Sequence, residues 1–230
     1  MITKAHHTFF RELEENNTKE WFHANKKRYE KEVKAPFLEL LTALMPLLTQ
    51  WDNRIVPDPK KSMFRINRDI RFSKDKSPYH LILKAGFSPN GRKSALPGYY
   101  LGIDADHIHV GGGLFMIQGP ELYKVRNYIS KHTDALLKIV SAKDFTNNFG
   151  TLKGEKAKRL DKSLWEVTHK TDLIYNKQFY VMAEFPLEPF FNSTILVEEV
   201  IQHFKSVRPL NTYLNAALTK KQGIHNKYIH

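Results

Sequence analysis

Apolar positions recur at helical spacing toward both ends of this chain and alternate along its middle. Phe9, Phe10 and Leu13 stand among Arg11, Glu12, Glu14 and Glu15, which predicts a short amphipathic helix ending at Asn16 and Asn17. Asn17 with Glu20 three residues later has capping-box spacing and predicts a second helix. Its flank at helical spacing holds Trp21, Asn25, Arg28 and Tyr29. Pro36 should end or kink it, because proline lacks the N–H a helix interior needs. Phe37 to Trp51 then predicts a third helix with Leu40, Leu41, Leu44 and Leu48 on its core face.

The spacing changes near Pro57 and Pro59. Met63 to Phe72, Leu81 to Phe87, Tyr99 to Ile103 and Ile108 to Leu114 read as strands, and Phe179 to Phe185 as one more. The turns between the first four are too short for parallel crossovers, so antiparallel pairing is expected. Pro120 suits a first helical turn, followed by a core stripe of Leu122, Val125, Tyr128 and Ile129. Further helices are expected over Asp134 to Val140 and Asp144 to Phe149, and residues 151–176 read as loop. Ile195 to Phe204 and Leu210 to Leu218 predict a terminal helical pair broken at Pro209. The expectation is one α+β domain over 1–230: helices at about 8–51, a sheet of about five antiparallel strands at about 61–115 plus the late strand, and a mixed half at 119–220.

Composition narrows the class. An apolar fraction of 41% with 26% charged residues is that of a globular protein. The chain has no cysteine, which removes disulfides, thiolate catalysis and Cys-ligated zinc. The first residues lack the apolar run and cleavage site of a signal peptide, and Phe37 to Leu48 is too short to span a bilayer, so a cytoplasmic protein without membrane attachment is expected.

The net charge of +12 favours anionic partners. Residues 60–93 carry ten positive and two negative side chains, a net of +8. The centre of that excess is Phe64-Arg65-Ile66-Asn67-Arg68-Asp69-Ile70-Arg71-Phe72. In a strand, Phe64, Ile66, Arg68, Ile70 and Phe72 share one face, and Arg65, Asn67, Asp69 and Arg71 the other. Ser73 to Tyr79 then adds Lys74 and Lys76 in a tight turn. Arginine's planar fork matches phosphate and carboxylate oxygens, so the three arginines predict an anion clamp. The architectural alternative is a ladder of internal ion pairs through Asp69 and Asp75.

Phe64 to Tyr79, with Asn16 to Tyr29 before it and Gly98-Tyr99-Tyr100-Leu101 and Gly111-Gly112-Gly113-Leu114 after it, resembles the family catalogued as domain of unknown function 2461. The resemblance runs from about Phe9 to Phe204. It implies one domain with a shared site and carries no activity. Family members usually have a Pro-Gly turn where this chain reads Lys158 to Lys162.

Other motifs contribute less. Gly111, Gly112 and Gly113 allow close backbone approach but lack the Gly-Lys-Ser/Thr of a P-loop, and they fit a bulge or a tight helix-over-strand contact. A hairpin turn accounts for Asp104, Asp106, His107 and His109, whose spacing matches no established metal loop. His6, His7, His225 and His230 lie near the termini. No metal and no cofactor is expected. Asp69 is the carboxylate placed to act as a base, with Glu20 or Tyr29 if the second helix covers the sheet.

The expected function is binding of a phosphorylated or other anionic small molecule by Arg65, Arg68, Arg71, Lys74, Lys76, Asn67 and Gly112. Nucleic acid is the second candidate partner, with Tyr79, Tyr99, Tyr100 and Trp165 as stacking residues. An enzyme on an anionic substrate, with Asp69 catalytic, is the third.

Overall fold

A computed structural model describes residues 1–89, 91–92, 94–117 and 119–219. Lys93, counted above in the positive excess, and His225 and His230 lie outside the described residues. Helices α1 (Lys4–Glu15), α2 (Lys19–Ala24) and α3 (Ala35–Thr49) precede three strands, β1 (Leu83–Phe87), β2 (Gly98–Ile103) and β3 (His107–Leu114). Helices α4 (Gly119–Lys131), α5 (Thr133–Val140) and α6 (Lys143–Phe149) follow. Strand β4 (Phe179–Pro186) and the long helix α7 (Ile195–Thr219) complete the fold.

The strands form one antiparallel sheet in the order β1-β2-β3-β4. Ala85, Leu101, Val110 and Ala183 stand in one register row across it. Leu83, Ile103 and Ile108 make the next row, and all of these except Ala183 are fully buried. Helix α7 lies across this face, with Val200, Phe204, Val207, Leu210 and Leu214 at 0% exposure. One continuous core of buried side chains extends from Ile2 to Ala217. The class is α+β, as the patterning predicts.

Three local expectations need correction. The sheet has four strands, because Met63 to Phe72 makes only isolated bridges, Met63 to Ala85 and Asn67 to Tyr79. The second helix is capped by Thr18, whose hydroxyl accepts from the Trp21 N–H, and not by Asn17. Asn17 instead pairs its amide with both backbone groups of Tyr79, at 3.1 Å each. Finally, α7 runs through Pro209 unbroken. An interior proline costs a helix about 3 kcal/mol. Burial of apolar residues on both sides of Pro209 offsets that penalty.

Pro36 does not end its helix either. The chain passes from α2 through a π-helical turn, Tyr29–Lys34, into α3, and the Ala35 N–H bonds the Glu30 carbonyl five residues back. The helix thus reaches Pro36 through a turn whose hydrogen bond spans one residue more than in an α-helix. Among the described residues, no helix is long and apolar enough to cross a membrane.

Candidate functional site

The arginine segment lies against the outer edge of β1, and its hydrogen bonds show why it is not a strand. Phe64 N–H donates to Lys84 O, His80 N–H to Ile66 O and Arg68 N–H to Pro78 O, each at 2.8 Å. One residue, Arg65, separates the first two bonds on the arginine side, whereas Leu81, Ile82 and Leu83 separate them on the other. The ladder therefore bulges opposite Arg65. It stops at Pro78, which has no N–H to return to Arg68. Beyond that point residues 69–77 form a loop closed by Ser73 N–H to Ile70 O.

The alternation read from the sequence nonetheless holds up to Ile70. Ile66 is buried, Phe64, Arg68 and Ile70 are half-buried, and Arg65, Asn67, Asp69 and Arg71 are exposed. Phe72 departs from it at 95% exposure, because the loop has left the sheet edge.

The three arginines make separate bonds. Arg71 holds both oxygens of Asp69, at 2.9 and 2.7 Å, and its guanidinium lies 5.8 Å from the Phe72 ring centroid. That pairing brings the Asp69 carboxyl down to about 2. Arg68 bonds Asp75 and reaches the Ser73 hydroxyl. The Ser77 backbone N–H and hydroxyl, then Arg68, hold Asp75 well below the usual carboxylate range. Lys76 donates to the Ile70 carbonyl at 3.1 Å. Arg68, Arg71 and Lys76 thus bond within their own loop. Lys74 is exposed on that loop.

Arg65 and Asn67 go elsewhere. They line a cavity of about 800 Å³ between the arginine segment and the run from α2 through the π-turn to the start of α3. Phe22, Tyr29, Leu38, Met63, Ile66 and Tyr79 supply its apolar wall. Lys26, Lys34, Lys60, Arg65 and Arg92 bring positive charge, and Glu30 the one carboxylate of the lining. Lys34 already binds both oxygens of Glu30, at 2.9 and 2.7 Å. Arg92 donates to the Lys61 carbonyl and lies over the Phe64 ring. The side chains of Lys26, Lys60 and Arg65 have no hydrogen bond or salt bridge among the described residues.

Two tyrosines complete the lining. Tyr29 is 5% exposed and Tyr79 4%, packed on either side of Phe22 with ring centroids 5.1 and 4.0 Å away. Neither phenol hydroxyl has a hydrogen-bond partner among the described residues, and neither is among the side-chain atoms sealed from solvent. Burial raises both phenols above their ordinary value, helped at Tyr29 by Glu30 and at Tyr79 by Glu20. Both stay protonated at neutral pH and remain donors.

Gly112 lies outside this lining. It faces α7, where an added Cβ would stand 2.6 Å from a Val207 methyl and 2.5 Å from the Gly98 carbonyl oxygen. Asn211, one turn further along α7, bonds that same carbonyl at 3.0 Å. The glycine admits the helix to the sheet.

Asp69 also lies outside the cavity lining, fixed by Arg71. Asp104 builds the β2–β3 turn, its carboxylate accepting from the Asp106 and His107 N–H groups and contacting His109 at 2.8 Å.

Most of the cavity lining was outside the expected site. Phe22, Lys26, Tyr29, Glu30 and Lys34 follow one another by four, three, one and four residues, a single stripe at helical spacing that mixes aromatic with cationic side chains. That stripe is the legible signal. Lys60 and Arg92 carried none beyond their charge.

The model of the family described as "Conserved hypothetical protein (DUF2461)" matches residues 5–213. The chain belongs to this family. The match takes in α1 to β4 and most of α7, and with them every residue of the cavity lining. A search of curated proteins gave no match.

Proposed function

We propose that this DUF2461 member binds a phosphorylated or similarly anionic small molecule in the cavity between the α2–π-turn run and the arginine segment. The observation that carries this reading is the trio Lys26, Lys60 and Arg65, three cations on one concave surface with no counter-charge bonded to them. A protein that needed these charges only for solubility would gain nothing by gathering them on one hollow, where they repel one another. The cavity's size and its mix of apolar wall with a few polar groups suit a small-molecule site. The π-turn supports the reading too, since such turns concentrate at functional positions and this one supplies Tyr29, Glu30 and Lys34 to the lining.

The test is calorimetric titration of the full chain with inorganic phosphate and pyrophosphate, beside Arg65→Ala and Arg71→Ala. A charge-assisted hydrogen bond is worth about 1.5–3 kcal/mol, or roughly 10- to 100-fold in affinity. Arg65→Ala should weaken binding by that factor with little change in melting temperature. Arg71→Ala, bonded to Asp69 outside the cavity, should bind as the parent does. No binding by the parent, or equal binding by Arg65→Ala, would overturn the proposal.

A further inference from the structure

The apolar half of the cavity narrows the chemistry of its occupant. An inorganic anion would need only the cationic rim; it would leave the half-buried Leu38 and Phe64 side chains and the two phenol hydroxyls of the lining to water. A fixed donor that only water satisfies can take a ligand's acceptor in the water's place. Tyr29 and Tyr79 are such donors: their residues are at least nine-tenths buried, yet their hydroxyls bond nothing among the described residues, reach solvent and line this space.

Their placement also limits what the acceptor can be. Each ring is held by aromatic packing on Phe22, and Tyr29 is held further by Phe9 at 5.7 Å. The hydroxyls are therefore fixed in position and favour a rigid partner with fixed acceptors over a flexible chain. The half-buried Phe64 ring, also in the lining, favours a flat body through offset or edge contacts.

Resting on the reading of this cavity as an anion site, we infer that its occupant is a phosphomonoester with an aromatic body that carries hydrogen-bond acceptors. The phosphate sits with Lys26, Lys60 and Arg65. The body enters against the apolar wall and accepts from Tyr29 and Tyr79.

The experiment compares two aromatic esters, uridine 5′-monophosphate and 4-acetylphenyl phosphate, with ribose 5-phosphate and methyl phosphate, by titration into the full chain. At least one aromatic ester should bind tenfold or more tighter than its non-aromatic counterpart. In Tyr29→Phe and Tyr79→Phe, which keep the ring packing, the ratio of aromatic to non-aromatic affinity should shrink threefold or more. If all four esters bind alike, or if removing the hydroxyls leaves the aromatic advantage intact, the inference fails while the anion site stands. If none of the four binds, the anion site itself fails.

Discussion

His6 shows what burial does to a single titratable group in this protein. Its ring is fully buried against Phe10, 4.8 Å between centroids, and its Nε2 bonds the Asp104 carbonyl at 3.0 Å. Burial lowers its value to about 4, with the hydrogen bond to the Asp104 carbonyl opposing the shift. The folded state thus holds His6 neutral where the unfolded chain would protonate it. Between pH 6.5 and 4 the unfolded state binds more protons, so stability should be complete above 6.5 and fall as pH drops through that window. A shift of this size corresponds to roughly 3 kcal/mol at its acid end. His80, lowered by burial and then by Lys84, adds loss of the same sign. Denaturant titrations at pH 7 and pH 4 check this: His6→Gln should lose markedly less stability across the interval than the parent, and an identical loss would refute it. Asp69 and Asp75 act in a separate, lower window, because their depressed carboxyls give up stability only as pH falls below the ordinary carboxylate range.

Pairs of elements meet here through small features that single residues do not reveal. Gly112 sits where α7 crosses β3, and a methyl group there would press on both the Gly98 carbonyl and Val207. Overpacking of that kind costs about 1–3 kcal/mol. Gly112→Ala should therefore lower the melting temperature clearly while leaving phosphate affinity unchanged. Lost affinity with unaltered stability would return Gly112 to the ligand site. The arginine segment teaches the complementary lesson. Its alternation was readable and its burial follows it, but strand formation failed at the Leu81–Leu83 bulge and at Pro78. Both interruptions lie on the partner segment, so no reading of residues 64–72 by themselves could find them. The expected break at Pro209 failed for a related reason: tertiary burial keeps that helix going where local propensity would stop it, and at Pro36 the helix passes through a π-turn instead of ending.

At the scale of the whole molecule the net charge of +12 acts over long range, while the cavity acts on contact. These two contributions separate by salt. Displacing counterions from nucleic acid makes affinity fall steeply with salt, about 10³–10⁵ between 50 and 200 mM for six to ten phosphate contacts. A single small anion held by Lys26, Lys60 and Arg65 should lose only a few-fold over the same range. Titration of phosphate and of a single-stranded oligonucleotide at both salt concentrations distinguishes them. The expected result is a shallow dependence for phosphate and no measurable oligonucleotide binding at the higher salt. A steep dependence with tight oligonucleotide binding would favour a nucleic-acid partner.

The α+β class, the positions of most helices and strands, and the concentration of positive charge in residues 60–93 were set by the sequence alone. Periodicity and charge are properties of neighbouring residues, and each can be read wherever burial is one-sided. Which of those charges stay unpaired was decided only by the tertiary structure. Asp69 and Asp75 satisfy Arg71 and Arg68 through the fold of one loop, whereas the bulge opposite Arg65 leaves it on a cavity wall built by residues some 30 to 40 positions earlier in the chain. A hollow is a relation between distant segments, and no local pattern encodes the distance across it.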